Sequence, residues 1–269
     1  MTNSDLPGRA GSMPYTQDDS TDSWNRNADA WHRNFARNDP NRRDLLDPII
    51  LEALGDVGGK RILDAGCGDG YLSRKLAELG AVVTGVESSH RMLAFALAEE
   101  EAEPLSITYH KGNIAHLPFL ADSSFDAIIT NNVIQDAADF EGAIREFSRT
   151  LQPGGIYLHI VNHPCFSAPV FGWVKDGEGR KLYRKVDRYF DRGPFLVPWG
   201  PRSGMEPTVA WHRTLGDTVN SLISSGFRLL RLLEPEPPES WATLHPERLD
   251  GARVPDFLVL VCKKEEADR

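Results

Sequence analysis

The segment that most constrains the fold is RILDAGCGDG, residues 61–70, in which an apolar run leads into three closely spaced glycines. The run predicts a buried strand, and Leu72, Leu76 and Leu79 then recur on one face of a helix. Glycines permit the tight turn and the close approach of a ligand at the carboxyl end of a sheet strand. This strand–loop–helix unit therefore predicts an α/β fold with a ligand site at its glycine loop.

Strand and helix patterns alternate along most of the chain. Besides 61–65, strands are predicted at 81–87, 106–112, 125–132, 156–162, 227–233 and 256–262. A turn is expected at Pro153–Gly154–Gly155, and Thr214 with Asp217 predicts a capping box that starts a helix. Such alternation predicts a doubly wound, mostly parallel seven-stranded sheet with helices on both faces.

The chain is expected to divide into four segments that differ in composition. The first is a polar, disordered tail, followed by the core of the fold with N-terminal cap helices. The third is rich in proline, glycine and aromatic residues, which predicts an inserted lid, and the last completes the sheet. These segments are residues 1–20, 21–162, 163–207 and 208–265.

Composition excludes several classes of function. The 269 residues carry 30 Lys and Arg against 39 Asp and Glu, and a net charge of −9 argues against a general nucleic-acid binder. Cys67, Cys165 and Cys262 form no CxxC pair, so neither a disulfide framework nor a metal site is expected. No apolar run suits a membrane span or signal peptide, which predicts a cytoplasmic protein without membrane partners. The protein is expected to be a monomer or a homodimer.

The charges around the loop indicate the kind of ligand. Its GxGxG spacing differs from the GxGxxG of dinucleotide folds. Asp64 and Asp69 flank the loop, and each would repel a phosphate by about 4 kcal/mol at 4 Å and a dielectric constant of ~20. An ammonium or sulfonium ligand gains from the same field. Glu87 ends the next strand, where a carboxylate can accept hydrogen bonds from both ribose hydroxyls, and Met92 either contacts adenine or packs in the core.

Five segments in order complete a family pattern. The glycine loop, VTGVESS, KGNIAHLPF, FDAIITNNVIQD and LQPGG resemble the class I S-adenosylmethionine-dependent methyltransferases, strongly over residues 44–162. The resemblance implies a Rossmann-like sheet whose last strand is antiparallel, S-adenosyl-L-methionine as cofactor and S-adenosyl-L-homocysteine as product. Asn113 stands where many relatives have Asp, which predicts weaker adenine recognition. The cofactor site is expected to comprise Asp64, Gly66, Cys67, Gly68, Glu87, Ser88, Met92, Asn113, Ile114 and Asn131.

Methyl transfer needs at most one base to take a proton from the acceptor. His163 follows the fifth strand and His212 precedes the capped helix, so each is either that base or a structural residue. His110 and His159 lie within strands and are expected to be packing residues. Aromatic residues of the cap and the insertion predict a small apolar or aromatic acceptor, contacted by Trp24, Trp31, Phe166 and Trp211.

Two other functions stay open at this point. Residues 175–192 carry seven basic and four acidic residues with interleaved tyrosines, a composition that can bind single-stranded RNA or form a solvated lid surface. The first reading makes the chain an RNA methyltransferase. Alternatively, a protein of this fold can keep the cofactor without transferring its methyl group. The primary expectation is a methyltransferase acting on a small molecule.

Overall fold

A computed structural model describes residues 15–36, 39–200 and 203–266. Its main sheet contains seven strands, of which β1–β5 are parallel and β11 is antiparallel to both of its neighbours. In chain order they are β1 (Arg61–Ala65), β2 (Val82–Glu87), β3 (Thr108–Lys111), β4 (Phe125–Asn131), β5 (Leu151–Asn162), β10 (Phe227–Leu233) and β11 (Phe257–Lys264). Across the sheet the order is β10-β11-β5-β4-β1-β2-β3. This confirms the predicted doubly wound fold with its antiparallel last strand.

Helices flank the sheet, and their ends carry the capping residues that the sequence indicated. Thr214 and Asp217 form the predicted capping box, and Ser89 caps the helix after β2. No helix in the described ranges is long and apolar enough to cross a membrane. The helices are α1 (Gln17–Phe35), α2 (Asp47–Leu54), α3 (Tyr71–Glu78), α4 (His90–Ala102), α5 (Phe140–Thr150), α6 (Leu215–Ser224), α7 (Trp241–Leu244) and α8 (Pro246–Leu249), with a π-helical turn at Asn41–Leu46 and a 3₁₀ turn at Ile134–Asp136.

The core consists of one apolar layer on each face of the sheet. Phe140, Phe147 and Tyr157 are fully buried in one layer, and Ile50 and Leu158 in the other. Tyr157 and Leu158 are consecutive on β5, so the strand is buried on both faces, as parallel sheets covered by helices require.

Two predicted boundaries differ from the structure. Helix α1 begins at Gln17 after a capping box of Thr16 and Asp19, so the predicted tail of residues 1–20 was too long; residues 1–14 lie outside the described residues. The predicted turn at 153–155 is a bulge inside β5, because the strand already pairs with β4 at Leu151 before the register shifts.

The inserted segment folds as two antiparallel hairpins. The first pairs β6 (Val170–Lys175) with β7 (Lys181–Asp187), and the second pairs β8 (Gly193–Val197) with β9 (Thr208–His212). Since β9 pairs along its whole length with β8, the insertion extends to residue 212 rather than ending at 207.

Helix α1 is fastened over the carboxyl edge of the sheet by polar contacts. Ser20 Oγ donates to the carbonyls of Val209 on β9 and Asp136 at 3.2 and 3.1 Å. On the opposite side, Arg91 of α4 pairs with Asp29 at 2.8 Å. The helix thereby covers the edge at which ligands of α/β sheets bind.

Candidate active site

A cavity of about 910 Å³ lies at the carboxyl ends of β1, β2 and β4, and we call it the glycine-loop cavity. Trp24 and Trp31 of α1 cover it. Nine of the ten predicted cofactor residues line its wall: Gly66, Cys67, Gly68, Glu87, Ser88, Met92, Asn113, Ile114 and Asn131. The structure therefore brings together residues that span 66 positions of sequence.

Asp64 is the exception, because it lies behind the loop rather than in the cavity wall. Its carboxylate is buried and accepts a 2.6 Å hydrogen bond from Ser73 Oγ on α3. Burial raises the pKa of this carboxyl to about 6. We therefore correct its predicted role from ligand contact to support of the strand and the helix that hold the loop.

The raised pKa of Asp64 makes the stability of the protein pH-dependent. A carboxyl with a folded pKa of about 6 and an unfolded pKa of ~3.9 stabilises the fold only while protonated, so its contribution disappears as pH rises through 6. We expect Asp64→Asn to gain about 2 kcal/mol of unfolding free energy relative to the unchanged protein between pH 4 and pH 7. Urea unfolding at both pH values measures this gain.

Asp126 provides the matched control. Burial raises the pKa of this carboxyl, but hydrogen bonds from Arg61 outweigh that effect and lower it overall. A lowered pKa contributes stability that is lost on acidification, so Asp126→Asn should show the opposite pH trend. Parallel trends in the two variants would contradict the assignment.

Glu87 joins the glycine loop to the start of α4. Its Oε2 accepts the backbone N–H of Gly68 at 3.0 Å, and its Oε1 accepts that of Ser89 at 2.7 Å. Burial raises the pKa of the carboxyl, while these backbone hydrogen bonds act to lower it. Asn113 is oriented similarly, because its Oδ1 accepts the N–H of Ala115 at 2.9 Å. Both side chains are thus held in fixed positions on the cavity wall.

The glycine-loop cavity has the charge distribution that a cationic ligand needs. Both carboxylate oxygens of Asp69 are buried and lack hydrogen-bond partners in the described part of the chain. The Arg42 guanidinium forms an ion pair with Oδ1 at 3.6 Å, and the His32 ring lies 3.7 Å from Oδ2, both beyond hydrogen-bond contact. Glu87 and Asp136 line the same space. These carboxylates attract an ammonium or sulfonium group and repel a phosphate.

A second cavity of about 1440 Å³, which we call the aromatic cavity, adjoins the first. Trp24, Trp31 and Trp199 contact one another there with ring centroids 5.3 to 6.0 Å apart. The rest of its wall includes Phe35, Phe140, Phe171, Phe195 and Trp211. Five residues line both cavities, and they are Trp24, Trp31, Asp39, Asn132 and Asp136.

Of the four predicted acceptor contacts, Trp24, Trp31 and Trp211 line the aromatic cavity. Phe166 is not part of its wall, so that prediction is corrected. The Phe166 ring lies 5.1 Å from the ring of His163, and its carbonyl accepts a 2.9 Å hydrogen bond from Arg184. The residue orders the start of the insertion instead.

The two candidate bases occupy different environments. His163 lines neither cavity. Its Nε2 lies 2.8 Å from Glu234 Oε1, and its Nδ1 accepts the N–H of Cys165. We correct its predicted role to a structural one. His212 lines the aromatic cavity and donates from Nε2 to the Tyr189 carbonyl at 2.8 Å. Burial lowers its pKa, which keeps the ring neutral and leaves Nδ1 as the basic atom.

Two residues of the site were not identified from the sequence. His159, predicted to be a packing residue, lines the aromatic cavity with its Nδ1 3.1 Å from Tyr157 Oη. Burial lowers its pKa to about 3. Asp136, in the 3₁₀ turn after β4, lines both cavities. For both His159 and Asp136, the only signal in the sequence was a polar residue near the carboxyl end of an apolar strand.

Most of the basic side chains of residues 175–192 are occupied by local partners. Arg180 pairs with Asp176 at 2.8 Å, and Arg188 pairs with Asp191 at 2.5 Å. Arg192 pairs with Asp217 at 2.6 Å, and Arg184 donates to a carbonyl. These contacts fit the solvated lid surface better than a surface that binds RNA.

Comparisons with known proteins agree with this site. Residues 63–159 match a family described as a methyltransferase domain. An S-adenosylmethionine-dependent methyltransferase of known structure from Mesorhizobium loti is 34% identical, with a TM-score of 0.70, over 81% of this chain and 96% of that one.

Two further relatives have named reactions. A ubiquinone biosynthesis O-methyltransferase of Xanthomonas oryzae pv. oryzae is 31% identical over 57% of this chain and 64% of that protein, slightly less than two thirds of its length. An N-demethylindolmycin N-methyltransferase of Streptomyces griseus is 28% identical over 70% of this chain and 78% of that protein.

Proposed function

This chain belongs to the S-adenosylmethionine-dependent methyltransferases, and we propose that it methylates a small apolar or aromatic molecule bound in the aromatic cavity. The observation that carries the proposal is the shared wall between the two cavities. A molecule in the aromatic cavity can present one atom across this wall to a ligand in the glycine-loop cavity. Alignment of this kind supplies ~7–11 kcal/mol of the barrier reduction in two-substrate reactions.

Each part of the glycine-loop cavity has a distinct task. When bound, S-adenosylmethionine supplies an electrophilic methyl group on a sulfonium centre. Glu87 offers its carboxylate to the ribose hydroxyls, and the Asp69 carboxylate, which accepts no hydrogen bond from the described residues, offers its oxygens to the ammonium group. Gly66 and Gly68 let the backbone approach the ligand without a side chain between them. Trp24 and Trp31 of α1 lie over the glycine-loop cavity and exclude water from it.

The aromatic cavity selects the acceptor by shape and polarity. Its walls are mostly aromatic, so an acceptor gains by burying apolar surface, at ~25 cal/mol per Å². The two named relatives methylate small molecules by their descriptions, one at oxygen and one at nitrogen. The paired arginines of residues 175–192 give no support to an RNA acceptor.

The direct test offers both classes of acceptor to the purified protein with methyl-labelled S-adenosylmethionine. A small-molecule extract and total RNA are incubated separately, and label is followed by chromatography. We expect label in compounds of low mass that partition into organic solvent. Label in RNA alone, with steep loss of activity at higher salt, would overturn the small-molecule proposal.

The His163→Ala variant tests whether His163 is the general base. We expect His163→Ala to keep single-turnover methyl transfer within threefold of the unchanged protein, because the ring lies outside both cavities. Loss of its hydrogen bond to the half-exposed Glu234 side chain should cost about 0.5–1.5 kcal/mol of unfolding free energy. Glu234→Gln, which keeps a hydrogen-bond acceptor, is the matched control and should cost less. A rate loss of ~10²-fold or more in His163→Ala would restore it as the general base.

A further inference from the structure

Asp136 is the most unusual titratable residue on the wall that the two cavities share. It lies in the 3₁₀ turn that follows β4 and is only 8% exposed. The wall contains one other titratable residue, Asp39, whose side chain accepts the backbone N–H of Asn41. His159 and His212 line the aromatic cavity but not the glycine-loop cavity. Asp136 is therefore the deepest ionisable group at the junction.

The position of Asp136 is fixed, yet its charge is not neutralised. Ser20 and Gln17 donate to its backbone carbonyl at 3.1 and 3.3 Å, and the Trp24 side chain acts to lower the pKa of its carboxyl. Arg213 is the nearby cation, but it donates to the carbonyls of Ala137 and Ala138 instead. No ion pair to Asp136 forms among residues 15–36, 39–200 and 203–266.

A carboxylate that serves the fold alone has a different environment. Asp47 is also buried, and its Oδ2 accepts hydrogen bonds from Tyr71 Oη and Lys75 Nζ, both at 2.6 Å. Asp136 has no such cation, and Glu87 across the glycine-loop cavity repels its negative charge. Burial and this repulsion raise the pKa of Asp136 well above its usual value. A poorly compensated buried carboxylate costs stability, which a functional role can explain.

Two neighbours of Asp136 carry hydrogen-bond acceptors without donors. The oxygens Asn132 Oδ1 and Gln135 Oε1 are buried and have no partner among the described residues. Their orientation follows from the nitrogens, since Gln135 Nε2 donates to the Asn132 carbonyl at 2.8 Å and Asn132 Nδ2 to Asn131 Oδ1 at 3.4 Å. This end of the aromatic cavity therefore offers acceptors to a ligand that brings the donors.

We propose that Asp136 binds the hydroxyl or amine of an aromatic methyl acceptor and takes its proton during transfer. The proposal rests on the methyltransferase function argued above and adds the class of acceptor. The lone pair of the acceptor oxygen or nitrogen forms the bond to the methyl carbon. The carbon–sulfur bond breaks with its electron pair going to sulfur, and the acceptor's proton passes to the Asp136 carboxylate. Charge and atoms balance without a further reactant.

Binding of matched pairs tests the donor requirement without relying on turnover. With saturating S-adenosylhomocysteine, calorimetry compares para-ethylphenol with para-ethylanisole, and para-ethylaniline with its N,N-dimethyl derivative. We expect the hydroxyl or amine compound to bind about tenfold more tightly than its methylated analogue, since one charge-assisted hydrogen bond distinguishes them. Asp136→Leu should reduce that ratio to within twofold, and Asp136→Asn to an intermediate value.

Asp126→Asn is the matched control, because Asp126 lines neither the aromatic cavity nor the glycine-loop cavity. It should keep the tenfold preference. Thermal unfolding of Asp136→Asn should occur at an unchanged or higher temperature, since a costly buried charge is removed. A purely structural Asp136 would give a lower unfolding temperature and an unchanged preference.

The catalytic half of the proposal is measured by single turnover with those compounds that bind. Asp136→Asn should slow methyl transfer by ~10²–10⁴-fold while its affinity for S-adenosylhomocysteine changes less than twofold. Equal affinities within each pair, equal rates in variant and unchanged protein, or no transfer to any bound compound would each overturn it. If S-adenosylmethionine binds but none of the four compounds does, this acceptor class is wrong and the methyltransferase function stands.

Discussion

We expect S-adenosylhomocysteine to bind the Glu87→Ala variant at least ~100-fold more weakly than it binds the unchanged protein. Two hydrogen bonds from ribose hydroxyls to a carboxylate are worth roughly 1.5–3 kcal/mol each, and 1.4 kcal/mol corresponds to a factor of ten in affinity. The carboxylate also holds the backbone N–H groups of Gly68 and Ser89, so its removal loosens the loop that the ligand contacts. Calorimetric titration measures the change.

Glu100 allows the loss of ligand contacts to be separated from the loss of backbone support. Its Oε1 accepts the N–H groups of Leu105 and Ile107 at 2.8 and 3.1 Å, so it also binds two backbone amides, and it does not line the glycine-loop cavity. Glu100→Ala should lower the unfolding free energy while leaving the affinity for S-adenosylhomocysteine within twofold. Equal losses of affinity in the two variants would remove the ribose assignment.

The sheet was predictable because its signals are local. Strand β1 was predicted at 61–65 and observed there, since a run of apolar residues buried on both faces ends at glycines that cannot continue it. The bulge in β5 was not predictable in the same way. Pro153 and Gly154 are typical turn residues, and only pairing of Leu151 with Phe125 on β4 keeps the strand continuous.

The residues that line the glycine-loop cavity were predictable for a related reason. They end consecutive parallel strands, and such ends meet at one edge of a sheet. The acceptor residues depend instead on contacts between distant segments. Glu234, which engages His163, is 71 positions away from it, and Asp136 reaches the junction of the cavities only because α1 closes over it. No spacing in the sequence encodes those contacts, so the sequence could not show that His163 lies outside both cavities, and Asp136 received no role.

Gly66→Ala should destabilise the protein and weaken S-adenosylhomocysteine binding together. Gly66 has a φ of +81°, and a Cβ atom there would lie 2.1 Å from Val133 Cγ2 on the loop after β4. The left-handed backbone costs a non-glycine residue ~1–2 kcal/mol, and overpacking adds ~1–3 kcal/mol. We therefore expect about 2–5 kcal/mol less unfolding free energy, and about tenfold to a hundredfold weaker binding as the loop moves towards the ligand.

Gly59 separates the two causes, because it has a similar φ of +71° and no atom within 4 Å of an added Cβ. Gly59→Ala should lose only the ~1–2 kcal/mol of backbone strain and keep its affinity for S-adenosylhomocysteine. Adding Val133→Gly to Gly66→Ala removes all three side-chain atoms that the new Cβ would meet and should restore part of the affinity. If the double variant binds no better than Gly66→Ala, backbone strain rather than contact with Val133 limits the loop. The requirement for glycine would then come from the turn itself, not from how closely the β4 loop packs against it.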